Sequence, residues 1–497
     1  MKRSISLILV LIMLLIPVFT ACSDSADGDT PSDTTVAADG SSTPEDTTPA
    51  DALEDRKNVK ETLESGLDFG GATFQMIVQT DHINDAWVEE LTGSSVDDEV
   101  YSRNMYVEEL LNIKILPASS IADYGQINSS VQASVLAGDG AYDLILNHAV
   151  NSGALVLGDF CTNWYTVPHV NFSNPWYPQE SVANLTFKGQ MYSSVSDLCL
   201  SLTKNTYCMF FDKVKGEDYG LANMYEIVNN GQWTLDKMKE IVANIYFDEN
   251  GNTKADADDF YGLGTDVNSN LNTYLWSCNQ PVFYFTEDDQ VVVSFVEEKT
   301  GMIIDKVKSI LFDEVGATKG TDHSYGVKQF AKGRVLFANA QIGQSASLLA
   351  DYENDFGIIP YPKYDEAQTE YYTMVDGNFS VIMIPKGISA EKIGMVGATV
   401  EALSAYSWKN VIPKYYDIAL KTRYVRDQES VAMLDLIMKN RVVDFAYLYD
   451  NWQGFVFLTQ DIIGNNKEFT STVATQQKVK TMYYEKKVLT YFLDHAE

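Results

Sequence analysis

Apolar and polar positions along the chain change period several times, and each change marks an element. Over Thr73–Gln79 the two classes alternate, as in a strand with one face buried. From Asp97 to Leu111 the period lengthens to that of a helix, with Val100, Met105, Val107, Leu110 and Leu111 as the expected inward stripe. Ile113–Leu116 then reads as a second strand, 128–136 as a helix ending near Gly138, and Tyr142–Asn147 as a third strand. Strands alternating with helices predict a parallel α/β sheet. Further on, Trp233–Ile245, Tyr325–Lys332 and Glu391–Ala405 are expected helices, and Val335–Phe337, Phe356–Pro360 and Phe379–Ile384 expected strands. The C-terminal segment reads as mainly helical. No Pro-rich or Gly/Ser linker divides the folded part, so two lobes would have to share a chain that crosses between them more than once.

The first fifty-five residues follow other rules. Lys2 and Arg3 precede an apolar run from Leu7 to Phe19, then Thr20, Ala21 and Cys22. That run is shorter than the roughly 20 residues of a membrane-spanning helix and has the layout of a secretory signal peptide. A cysteine at the cleavage point makes 1–21 look like a bacterial lipoprotein signal, with Cys22 as the lipidated first residue and Phe19 where Leu is usual. Beyond it, Asp24, Asp27, Asp29, Asp33, Asp39, Glu45, Asp46 and Asp51 carry negative charge with no positive residue among them. A segment so polar and self-repelling cannot offset its ordering entropy by burial, so 22–55 is expected to be an extended tether. About 30 such residues span on the order of 30 Å. The expected location is the outer face of a cell membrane.

The remaining chain, about 440 residues, exceeds what one core usually supports, which favours two lobes. Hydrophobic content is 45%, ordinary for a globular protein, while 12% aromatic, with 29 Tyr and 23 Phe, is high. The formal net charge is −33, and removal of Lys2 and Arg3 with the signal makes it −35. Such a surface repels nucleic acid and anionic headgroups, which excludes nucleic-acid binding, whereas neutral ligands such as sugars feel little of it. Cys161, Cys199, Cys208 and Cys278 lack C-x-x-C spacing, so neither a disulfide framework nor a zinc site is expected. A Cys199–Cys208 bridge and buried free thiols both remain open at this point. No nucleophile motif is present, and no pattern brings two carboxylates together for glycosidic cleavage. No enzymatic activity is expected.

Several segments are similar to a known family. Arg103–Ile115 (RNMYVEELLNIKI), Gly138–Ile145 (GDGAYDLI), Lys188–Tyr192 (KGQMY), Gly231–Asp236 (GQWTLD), Phe330–Phe337 (FAKGRVLF) and Phe356–Pro362 (FGIIPYP) resemble, in order and spacing, extracellular solute-binding proteins of ATP-driven (ABC) importers. The resemblance is to family 1, the branch with maltose- and alginate-oligosaccharide-binding proteins. It implies a periplasmic-binding-protein-like α/β fold, two lobes with hinge crossings near Val195–Ser201, Glu370–Asn378 and Tyr406–Val411, and a ligand cleft between them. Lobe 1 would be 56–195 with 370–405, and lobe 2 196–369 with 406–497. The implied function is capture of a carbohydrate, most simply an oligosaccharide, by lobe closure and delivery to the membrane permease, as a monomer. A peptide receptor, a surface-anchored glycoside hydrolase and an adhesin or sensor of the same fold are the alternatives.

By that resemblance the cleft would hold Asn147 and His148, Tyr274 and Trp276, Asn339 and Gln341, Asp376 and Asn378, and Trp452. Aromatic rings suit the flat C–H faces of sugars, and amides and carboxylates suit their hydroxyl rims. Trp233 is assigned to packing, and Tyr415 and Tyr416, on an amphipathic helix, to the core or the rim. No catalytic cofactor is expected. One loop could carry a structural calcium: Asp248, Asn250, Asn252, Lys254, Asp256 and Asp259 place oxygen donors at alternate positions of an EF-hand-like run. Gly251 at the fourth position and Asp259 in place of the usual Glu depart from that pattern, and a plain polar loop is the competing reading.

Overall fold

Gln75 splits the first apolar run into two strands. Its backbone N–H donates to Asp143 Oδ2 (2.9 Å) and its side-chain amide to the Pro117 carbonyl (2.9 Å), so the chain turns between two sheets here. Ala72–Phe74 pairs in parallel with Ile113–Ile115. Met76–Gln79 instead enters a four-stranded sheet, between Leu144–His148 and Ser119–Ile121 and parallel to both. The fourth member, Ser380–Met383, returns antiparallel beside Leu144–His148. The structure, a computed structural model, describes residues 56–496 apart from 61, 222, 287–289 and 422–427. Cys22 and the acidic tether therefore lie outside the described residues.

The second sheet has the order Ala317–Gly320, Phe260–Asp266, Val335–Gln341, Tyr207–Asp212, Phe356–Ile359, with Tyr246–Phe247 pairing off the second of these. The first three run parallel, and Tyr207–Asp212 lies antiparallel to both its neighbours. Every residue of Tyr207–Asp212 and of Phe260–Asp266 is buried. Buried on both faces, such strands lose the alternation that reveals a half-exposed one.

Local chemistry sets the helix ends. Ser94 caps Ser95–Leu111, and Asp123 caps Tyr124–Ala137 by accepting from Gly125 and Gln126 N–H, which starts that helix one turn earlier than periodicity predicts. Gly138, at φ 65°, ends it in the left-handed conformation. The inward face of Ser95–Leu111 differs from the expected stripe. Val96, Val100, Arg103, Asn104, Val107 and Leu111 are buried, while Met105 and Leu110 are 37% and 40% exposed. All four cysteines of the folded part are buried free thiols, so Cys199 and Cys208 are not bridged.

The chain passes between the sheets through segments that bond to one another. Ser194 still pairs with Ile382 at the edge of the first sheet, and Tyr207 opens a strand of the second. On the return, between Ile359 and Ser380, Thr373–Met374 forms a short parallel ribbon with Arg441–Val442. Thr373 Oγ1 donates to the Tyr207 carbonyl (2.7 Å), and Ser380 N–H donates to Ser201 Oγ (3.1 Å). A third link follows Ala390–Tyr406, which continues through a π-helical turn, Ser407–Val411, into Ile412–Lys421. Arg103 holds this base together. Its guanidinium is buried and donates to the carbonyls of Asp85, Ala86 and Leu198, to Ser407 Oγ and to Asn104 Oδ1. Arg441 adds a buried ion pair to Asp197 (2.7 Å). The C-terminal helices, expected in the second lobe, touch both halves. Phe445–Tyr449 packs on Ala149–Leu157, whereas Val456–Gly464 packs on the turn Ser269–Asn272.

Replacing Arg103 by Leu leaves several buried oxygens without a donor, each worth about 1–3 kcal/mol. Urea unfolding of R103L is expected to show a loss of about 3 kcal/mol or more, with the slope of the transition unchanged.

Candidate functional site

The strand ends of the two sheets converge on one cavity of about 510 Å³. His148 ends Leu144–His148, Asp266 ends Phe260–Asp266 and Gln341 ends Val335–Gln341, while Tyr207 opens the antiparallel strand beside Gln341. Ligands of open α/β sheets bind at such carboxyl ends. The crossing segment Asp376–Asn378 lines the cavity between the sheets, and Tyr447, Trp452, Phe457 and Gln460 close it from the C-terminal helices. Cavities of about 470 Å³ beside Trp408 and Arg441, and of about 560 Å³ between Glu298–Lys308 and Phe469–Tyr483, are similar in size. Neither is lined by the strand ends of both sheets.

The two carboxylates of the cleft are held by neighbours. Asp376 Oδ2 accepts from the hydroxyls of Tyr207 (2.5 Å) and Ser269 (2.6 Å), and Oδ1 accepts from Asn378 N–H (3.0 Å). Asp266 accepts from Asn268 N–H (3.0 Å) and Asn270 Nδ2 (3.1 Å). Burial raises the Asp266 carboxyl to about 7, and the Asp376 charge adds to the shift. Burial lowers His148 to about 4 against the pull of Asp376, so its imidazole is neutral at pH 7. The His148 ring lies 4.8 Å from that of Tyr124, and His82 Nε2 lies 3.2 Å from Asn378 Oδ1. Gly377 permits the close approach here: a Cβ would sit 2.3 Å from Val150 Cγ2 and 2.6 Å from the Tyr447 hydroxyl.

Trp452 stands apart from the other six tryptophans. It is 63% exposed, the one tryptophan of the chain that is, and its ring stacks on Phe457 with centroids 3.9 Å apart. Asn451 and Trp452 both have positive φ, 44° and 60°. A bulky residue in the left-handed region costs energy that its surroundings must offset, and such residues concentrate at functional sites. Trp452 lines the cavity from the turn between Phe445–Tyr449 and Val456–Gly464.

Of the nine expected ligand residues, His148, Gln341, Asp376, Asn378 and Trp452 line this cavity together. The other four do not line it. Asn147 is fully buried, its amide donating to Asn128 Oδ1 and its oxygen accepting from His148 N–H. Tyr274 donates to Asn339 Oδ1 (3.2 Å), and both lie beneath the surface beside Tyr361. Trp276 is buried behind Tyr447 and donates to Asp444 Oδ2 (3.0 Å). Sequence reasoning missed Asp266, Ser269, Tyr207, Tyr447 and Phe457. Asp266 had a usable signal, a carboxylate closing the run FYGLGT, had that run been read as a strand.

The candidate calcium loop is wound by its own side chains. Asp248 accepts from Gly251 and Thr253 N–H (2.7 and 2.8 Å), and the Asn250 and Asn252 oxygens accept from Asn252 and Lys254 N–H. Both Asn amides donate to Asp256. Asp259 is buried, with Oδ2 accepting from Tyr246 and Asp256 and Oδ1 without a partner. Among the described residues no cluster of three or more His, Cys, Asp or Glu side chains is arranged to hold a metal. The orphaned Asp259 oxygen and an all-oxygen donor set fit a hard cation, provided the two amides rotate their oxygens toward Asp256. Lys254 could lend only its backbone carbonyl.

Because Trp276 packs behind the cleft, Trp276→Ala removes a core side chain and leaves Asp444 with a lost donor. Thermal or urea unfolding is expected to show a loss of about 3–5 kcal/mol.

No family model matches the chain, and no curated protein matches it in sequence. Solved structures do. UgpB from Mycobacterium tuberculosis, in complex with glycerophosphocholine, matches with a TM-score of 0.55 at 15% identity, over 84% of this chain and 99% of its own. A cyclo/maltodextrin-binding protein complexed with maltotetraose gives 0.56 at 12% identity, over 84% and 98%. An ABC transporter solute-binding protein from Agrobacterium radiobacter K84, in complex with ribitol, gives 0.50 at 13% identity, over 83% and 99%. These likenesses span almost the whole of each neighbour. The chain has the fold of periplasmic-binding-protein-like solute-binding proteins.

Proposed function

We propose that this protein is an extracellular solute receptor of an ABC importer, binding a neutral or weakly charged saccharide in the cleft at the strand ends. The observation that carries the reading is Trp452. An exposed indole, braced by Phe457 and held at positive φ, offers a platform for a sugar face. Around it Gln341, Gln344, Asn151, Asn378 and Gln460 supply planar amides, and Asp376 supplies a carboxylate. The neighbours complexed with maltotetraose and ribitol hold uncharged polyhydroxy ligands, which this lining suits. Binding would draw the two sheets together around the ligand, since its lining comes from both. The receptor acts without catalysis. Delivery to a membrane permease, anchoring through lipidated Cys22 and reach set by the acidic tether complete the proposal. No helix among the described residues is long and apolar enough to cross a membrane.

Titration of tryptophan fluorescence with a panel of neutral oligosaccharides tests the reading. Saturable change without product formation is expected, and Trp452→Ala should weaken binding by ~10-fold or more, about 1.4 kcal/mol, with the melting temperature unchanged. Unaltered affinity in that variant would remove the platform. Chromatographic detection of shortened products would favour a glycosidase instead, with Asp266 and Asp376 as the carboxylate pair.

We also propose a structural calcium on the 248–259 loop, ligated by Asp248, Asn250, Asn252, Asp256 and Asp259 side chains and the Lys254 carbonyl. Bound ligand stabilises a native state by mass action. Calorimetry of the chelator-treated protein is expected to show a melting transition that rises when calcium is returned, and a curve indifferent to calcium would overturn the assignment.

A further inference from the structure

The ionisable lining of the cleft is two carboxylates and the imidazoles of His148 and His323, beside tyrosine hydroxyls. Its lining includes the carboxylates of Asp266 and Asp376 and no lysine or arginine. Neither carboxylate meets a cationic side chain among the described residues; their partners are hydroxyl, amide and backbone N–H donors. The two carboxylates brace the same short turn. Asp266 turns the backbone at Asn268, and Asp376 takes the hydroxyl of the next residue, Ser269. Each carboxylate has about four acceptor sites. Asp266 uses two of these and Asp376 three, so both have capacity for another donor. Of the two imidazoles in the lining, His148, which feels the Asp376 charge, is held neutral by burial. A protein of net charge −33 has nothing in its wider field to balance the pair.

Two carboxylates in one partly desolvated cleft repel each other, and a neutral ligand relieves none of that repulsion. A ligand with a protonated amine would. An ammonium group has three donors and no acceptor, which matches two carboxylates with spare acceptor sites. Resting on the saccharide reading above, we infer that the cleft selects sugars bearing a free amine, with the ammonium seated between Asp266 and Asp376 and a ring face on Trp452. An anionic sugar is excluded by the same charges.

Calorimetric titration of the full chain with three probes separates this inference from the saccharide reading. The probes are glucosamine oligomers, the same oligomers with their amines acetylated, and spermidine, an amine without a sugar. The expected result is binding of the free-amine oligomers ~10-fold or more tightly than the acetylated ones, with weaker binding of spermidine. Asp266→Asn and Asp376→Asn, each able to keep a hydrogen-bonded amide in place, should each reduce that preference. Equal affinity for free and acetylated oligomers would overturn the inference and leave the saccharide reading standing. A preference that survives in both variants would also overturn it. Binding of spermidine with no binding of either oligomer would overturn the saccharide reading and, with it, the amino-sugar inference. The wild-type comparison needs no variant, so misfolding of a mutant cannot mask the outcome.

Discussion

A charge buried at the meeting point of the crossing segments sets the terms for the rest of the molecule. The Arg103 guanidinium is removed from water and has no carboxylate bonded to it, yet its N–H donors reach oxygens on Asp85, Ala86, Leu198, Ser407 and Asn104. Burial pulls its pKa down to about 10, so it stays charged at neutral pH. A planar fork with five donors can serve several segments at once, which lysine could not do. The result is a tie between a helix of the first sheet, the first crossing at Leu198 and the third link at Ser407. With the base tied, the strand ends of the two sheets are positioned relative to each other, and the cleft follows from that.

The cleft itself is a polar site with an aromatic face. Its two carboxylates and the amides of Asn151, Gln344, Asn378 and Gln460 are held by second partners, which limits the rotamer entropy left to lose. Asp376 is held by Tyr207 and Ser269 from the second sheet while sitting on the segment that leads into the first. Among the described residues, the positive φ of Asn451 and Trp452 is the backbone strain that falls at the cleft lining. Both features belong to a cavity lined from two sides.

Much of this was legible in the residues, and the misses have physical reasons. Half-exposed elements announced themselves through period, as at Tyr325–Ala331. Tyr207–Asp212 and Phe260–Asp266 did not, because a strand buried on both faces has no polar period. Missing the second of these hid Asp266. Trp276 and Tyr274 failed as ligand candidates for another reason: residue type suggests sugar binding, but burial decides it, and both pack beneath the surface. Asn147 and His148 were expected together, but along a strand one residue changes the face, so that only His148 lines the cavity and Asn147 is buried. Arg103 was visible only as part of a motif, whose structural meaning lies in contacts far apart in sequence.

Hydrogen exchange of the full chain, with and without a saturating saccharide, addresses the two-sided cleft most directly. Protection should rise together in segments 148–151, 266–269, 341–344, 376–378 and 447–460, which come from the ends of both sheets, the crossing segment and the C-terminal region. The 248–259 loop should exchange as before. Protection limited to the segments of one sheet, or appearing at the cavity beside Trp408 and Arg441 instead, would contradict a saccharide site at the strand ends.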